Sequence, residues 1–81
     1  MPTYDPEGRL TPIRSPEALG RTIRRAREQT GLTQAELAER ARATRQAIVT
    51  LEGGHETRAV ELIFDALATL GLELAVRPRG R

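Results

Sequence analysis

The stretch TRQAIVTLE, residues 44–52, concentrates the side chains in this chain best suited to recognition chemistry. Set on a helix at about 100° per residue, Arg45, Gln46, Val49 and Thr50 span about 140° of one face. Ala47, Ile48 and Leu51 fall on the other side, where a core is expected. The outer face thus holds a guanidinium, a carboxamide, a hydroxyl and a methyl-bearing surface. These groups match the edges of base pairs: arginine suits guanine, glutamine suits adenine, and valine packs on a thymine methyl. Catalysis has no comparable footing, since no nucleophile stands in a pattern with a base and an acid, and no enzyme activity is expected. One histidine and no cysteine leave zinc without a ligand set, and no cofactor is expected either.

A recognition surface needs elements to hold it. Ser15, Pro16 and Glu17 make a helix start: a capping hydroxyl, proline at the first helical position and an acid in the first turn. That helix carries Leu19, Ile23, Ala26 and Thr30 on one stripe, with Arg21, Arg24, Arg25 and Glu28 opposite, and Gly31 ends it. Thr33 and Glu36 form a capping box for a short second helix whose buried side is Leu37, Ala38 and Ala41. After a tight turn, Thr44 caps the third helix, which carries the reading face. A short helix, a three- to four-residue turn and a second helix with exposed polar groups follow the logic of a helix-turn-helix.

The loop GGHET, residues 53–57, leads to a fourth helix ending at Gly71. Its apolar positions, Ala59, Val60, Ile63, Phe64, Ala66, Leu67 and Leu70, cover about 160°, more than the stripe a helix usually turns to one core. Such breadth fits either two neighbours, one of them a second subunit, or deep burial in a small bundle. Beyond Gly71, Leu72, Leu74 and Val76 alternate with Glu73, Ala75 and Arg77, the period of a half-buried strand. No other segment is an obvious partner for it. Residues 1–14 hold three of the five prolines without sustained periodicity and read as a flexible arm.

At 81 residues the chain is one small domain with a core of Leu, Ile, Val and Ala, aromatics being only 2%. All 13 basic residues are arginine; codon bias and selection for bidentate phosphate and base contacts are both compatible with that. Seven of them crowd between Arg21 and Arg45, as a nucleic-acid footprint would. No apolar run approaches a membrane span and no signal peptide is visible, so a cytoplasmic location is expected and a membrane partner is not.

The stretch TGLTQAELAERARATRQAIVTLEGG resembles the helix-turn-helix of Xre-type regulators, the group that includes the 434-type phage repressors. The resemblance covers about residues 17–70 and implies a mainly α, four-helix, lambda-repressor-like domain that binds a palindromic operator in double-stranded DNA. It implies that Gln34, at the start of the second helix, contacts phosphate, and that Thr44 joins the reading face and its phosphate contacts. Arg45 and Gln46 become the leading base readers, with Val49 and Thr50 beside them. It also implies an ion pair between Arg27 and Glu52; Arg27 lies at the edge of its helix's buried stripe. One departure stands out. Where the family usually has glycine in the turn before the third helix, this chain has Arg42. A left-handed residue there costs about 1 kcal/mol relative to glycine, a differently shaped turn being the alternative, and a phosphate contact is what Arg42 could gain. His55 is a further phosphate candidate, with a merely solvated loop side chain as the plainer reading.

The terminal strand narrows the resemblance. A lone strand exposes unpaired backbone groups, and pairing with its own copy in a homodimer resolves this. That arrangement lays Leu72, Leu74 and Val76 over the two fourth helices and, centred on Ala75, sets Glu73 opposite Arg77. A four-helix Xre domain followed by a dimerisation strand is similar to HipB-type antitoxins. SPEALGRTIRRAREQTGLTQAELAERA and LATLGLELAV carry that closer likeness. It implies a repressor that autoregulates its operon and neutralises a HipA-like serine/threonine kinase toxin. The alternatives are a free-standing Xre-type regulator and a protein-binding adaptor that no longer reads DNA. The expected organisation is therefore an arm over 1–14, a DNA-binding domain over 15–71, a dimerisation strand over 72–77 and a basic tail over 78–81 containing Arg79 and Arg81.

Overall fold

The computed structural model describes residues 9–55 and 57–79. Strand β1 (Thr11–Ile13) is followed by helices α1 (Pro16–Thr30), α2 (Gln34–Arg40), α3 (Arg45–Glu52) and α4 (Arg58–Thr69), and strand β2 (Leu74–Val76) closes the order. Each helix begins where a hydroxyl satisfies a free backbone donor. Ser15 accepts from the Ala18 N–H at 3.0 Å, Thr44 from Ala47 at 3.1 Å and Thr57 from Val60 at 3.2 Å. Thr33 and Glu36 form the reciprocal capping box. The first three starts lie at the hydroxyls the sequence picks out, and the fourth follows the GGHET loop at Thr57.

The ends are equally regular. At each helix C-terminus two backbone N–H groups turn back onto free carbonyls, as in the bonds Ala43 to Ala38 at 2.8 Å and Arg42 to Glu39 at 3.2 Å after α2. That reversal needs one residue with positive φ. Gly31, Gly54 and Gly71 supply it for the other three helices, whereas α2 uses Arg42 at φ 58°. The turn therefore keeps its left-handed shape with an arginine in it, which resolves the two possibilities raised by the sequence.

The terminal strand has a partner within its own chain. β1 pairs antiparallel with β2, matching Thr11 to Val76, Pro12 to Ala75 and Ile13 to Leu74. The expectation of a flexible arm over 1–14 is thus corrected for residues 11–13; residues 1–8 lie outside the described ones. Ile13 is the most buried large side chain described, at 1% exposure. Three residues are too few to show a period, and a central proline argues against a strand. The register explains the tolerance. Proline has no N–H to exchange, so Pro12–Ala75 is the non-hydrogen-bonded pair, and the backbone groups of Ala75 point to the sheet's other edge. Within the chain, the Glu73 carboxylate accepts from the Arg14 Nε–H at 2.6 Å.

The core is small: Ile13, Ala38 and Ile48 are its buried apolar residues, with Thr11, Thr22 and Glu52 beside them. α3 packs on both α1 and α2. Gly20 sets the first of these contacts, since a Cβ there would fall 2.6 Å from the Glu52 and Leu51 carbonyl oxygens. α1 lies directly on the end of α3, closer than any other residue allows. By contrast α4 buries no residue fully, and Leu62, Ile63 and Leu70 are all more than half exposed. Deep burial within one chain is therefore not the reason for its broad apolar face. Thr30, expected on the buried stripe of α1, is exposed.

Candidate nucleic-acid interface

The position of α3 is set by a buried polar cluster. Arg27 of α1 grips Glu52 of α3 through two bonds, Nε to Oε2 at 2.6 Å and Nη2 to Oε1 at 3.1 Å. Its remaining arm donates to the Leu32 carbonyl at 2.8 Å, and Gln34 of α2 donates to Glu52 Oε1 at 3.2 Å. The Arg27 and Glu52 side chains are 12% and 3% exposed. Burial pushes the Glu52 carboxyl up, but the hydrogen bonds from Arg27 and Gln34 outweigh it, so the group sits below the usual carboxylate range. Hydrogen bonding to Glu52 holds the Arg27 guanidinium above its ordinary value. One carboxylate thus ties the three helices together, and removing either partner would strand a buried charge.

Locked in this way, α3 leaves its N-terminal end exposed. Thr44, Arg45, Gln46 and Ala47 are exposed, Val49, Thr50 and Leu51 are half-buried, and Ile48 and Glu52 are buried. Ala47, expected in the core, is exposed instead: all of residues 44–47, at the N-terminal end of α3, are exposed, and burial begins only at Ile48. Gln46 Nε2 lies 3.4 Å from Thr50 Oγ1, one turn on. Gln46, Ala47 and Thr50 line an open groove of about 510 Å³ with His55, Thr57 and Val60.

The phosphate candidates are distributed around this face. Thr44 spends its hydroxyl on the helix cap, and Arg42 projects, exposed, from the turn before α3. His55 is exposed in the loop after α3, its ring beside Gly53. Gln34 is half-buried, with one carboxamide N–H already given to Glu52. The Thr33 N–H donates to the Glu36 carboxyl at 2.8 Å and, with the Thr33 side chain, holds that carboxyl below the ordinary range at the start of α2. Sequence reasoning missed Gly20, although a glycine inside an otherwise regular helix is itself the signal for close approach.

A short α2, a tight left-handed turn and an α3 with exposed polar groups define a helix-turn-helix protein, the class in which the second of these helices is the one presented to DNA. The chain belongs to the helix-turn-helix domain family, which it matches over residues 18–79. It is also 45% identical over 51 residues to an uncharacterised HTH-type transcriptional regulator of Methanothermobacter thermautotrophicus, an alignment spanning 63% of this chain and 74% of that protein. No solved structure matches the chain significantly. No described helix is long and apolar enough to cross a membrane.

Proposed function

We propose that this protein is a sequence-specific transcriptional repressor that binds double-stranded DNA as a homodimer, with α3 in the major groove. The observation that carries this is the exposed polar start of α3, held at a fixed attitude by the buried Arg27–Glu52–Gln34 cluster. Gln46 and Thr50 stand at the centre of the reading face, with Arg45 and Val49 at its flanks. Arg42, Gln34, Thr44 and His55 surround it as phosphate contacts. The name of the archaeal relative points the same way. Selection from a randomised duplex pool tests the reading. A two-fold sequence with half-sites about one turn, roughly 34 Å, apart is expected. A pool that enriches nothing would leave a protein-binding adaptor as the better account.

The dimer reading rests on the free edge of β2. Pro12 blunts the outer edge of β1, whereas Ala75 turns its N–H and C=O outward. Two copies joined there would form a four-stranded sheet, with Leu72, Leu62, Ile63 and Leu70, all exposed in the single chain, beside the two-fold. Centred on Ala75, Glu73 meets Arg77 of the second copy while keeping Arg14 of its own chain, and Leu74 and Val76 remain turned inward. Ala75→Pro removes the outward N–H and spares the β1 ladder, so a melting curve like the parent's with a monomeric sedimentation profile is expected. An unchanged dimer would place the interface elsewhere.

The finer reading is a HipB-like antitoxin that autoregulates its operon and neutralises a HipA-like serine/threonine kinase. Its support is a terminal strand where Xre-type domains usually continue with a fifth helix. Co-purification with the product of an adjacent kinase-like gene tests it, and the lack of such a gene favours a free-standing regulator.

A further inference from the structure

Arg45 does not share the groove occupied by Gln46 and Thr50. It lines instead a recess of about 430 Å³ with Arg24 and Arg27 of α1 and Thr33, Gln34 and Ala35 at the start of α2, and a neighbouring one with Glu36 and Glu39 of α2. Two helices, α1 and α3, thus bring three guanidinium groups to one open recess beside the start of α2. They are not equivalent. Arg27 is committed to Glu52 and the Leu32 carbonyl, so its charge is neutralised and its donors are directed inward. Arg45 makes no ion pair with a described residue. Among the described residues Arg24 makes one ion pair, with Glu28 at 3.3 Å across one helical turn, and its side chain is 63% exposed. An exposed pair of that spacing contributes little and yields readily to a better acceptor. Gln34 retains a second carboxamide N–H beyond the one given to Glu52.

We propose that Arg24 and Arg45, on either side of the α2 start, clamp a single backbone phosphate of the bound duplex, with the spare N–H of Gln34 as a third donor. The proposal rests on the DNA-binding reading above and refines it: Arg45 becomes a phosphate ligand and sequence is read by Gln46. Two forked guanidinium groups can each present paired donors to phosphate oxygens, and the recess is open enough to admit a phosphodiester from the groove side. The clamp joins α1 to the interface, so the duplex is gripped by all three helices that the Glu52 cluster holds in register. A contact of this kind sets the orientation of α3 and carries no base information.

The test uses the full chain, with fluorescently labelled duplexes selected from a random pool, and measures affinity against salt concentration. The double variant Arg24→Ala/Arg45→Ala is expected to lower the slope of log K on log salt by about 0.9, one phosphate's worth. Arg45→Ala alone should weaken every sequence by the same factor and leave the base-preference profile unchanged. Both side chains are exposed, and melting curves check that the variants remain folded. An unaltered slope in the double variant overturns the clamp, and so does a loss of preference at one base pair in Arg45→Ala. If the unaltered protein selects no duplex, the clamp and the DNA-binding reading fall together; if it selects one and the slope is unaltered, only the clamp falls.

Discussion

Arg42 stands in a left-handed conformation, φ 58°, at the one helix end that lacks glycine. The bonds from Arg42 to Glu39 and from Ala43 to Ala38 require that conformation, because both depend on the chain reversing at Arg42. A side chain there brings Cβ against the following carbonyl, at a cost of about 1–2 kcal/mol. Replacing it with glycine removes that clash but adds freedom to the unfolded chain, worth about 0.5–1 kcal/mol. The net expectation for Arg42→Gly is a gain of about 1 kcal/mol. For a domain of this size that raises the melting temperature by roughly 4–8 °C. Arg42→Ala keeps the clash and serves as the control, with little or no gain expected. Calorimetry on the three proteins decides the matter, and equal melting of the glycine and alanine variants would refute the strain argument. Duplex binding should move the other way. If Arg42 meets a phosphate, both variants lose about 0.9 from the salt slope, so Arg42→Gly would be more stable and bind more weakly.

Other perturbations probe the frame around α3. Gly20→Ala drives a methyl to 2.6 Å from two carbonyl oxygens of α3 and should cost about 1–3 kcal/mol, read as a lower urea midpoint; an unchanged midpoint would mean the helices are not in contact there. Glu52→Gln strands the buried Arg27 charge and should cost about 3 kcal/mol, a large share of the roughly 4–12 kcal/mol expected for 81 residues. Because the folded Glu52 carboxyl is depressed, its contribution is complete above the ordinary carboxylate range and lost as pH falls through the folded value. Parent stability should therefore decline below about pH 4.3, and the decline should be shallower in Glu52→Gln. Gln46→Ala should cost about 1–3 kcal/mol on the selected duplex and relax preference at one base pair; binding like the parent's would move the reading face elsewhere on α3.

The helix starts, and most helix ends, were legible in the sequence because neighbours in the chain govern them. Ser15, Thr33, Thr44 and Thr57 cap the helices because a hydroxyl three residues ahead of a free N–H has only one efficient use, and Gly31 and Gly71 end helices for a similarly local reason. The helix-turn-helix was legible in the helix lengths and the turn between them, the Arg27–Glu52 pair was implied by the resemblance to Xre-type regulators, and the structure contains that pair. Tertiary structure decided what depends on residues far apart. Ile13 became the most buried large side chain described because Thr11–Ile13 meets Leu74–Val76, a pairing of three-residue segments with no period to announce it. Ala47 is exposed because the neighbouring helices cover α3 only from Ile48 onward, which an isolated wheel cannot register. Arg24, Gln34 and Arg45 are separated along the chain and share a recess only because Gly20 lets α1 close onto α3. Local chemistry sets where each helix starts and stops; contact between distant backbones sets which faces remain for a partner.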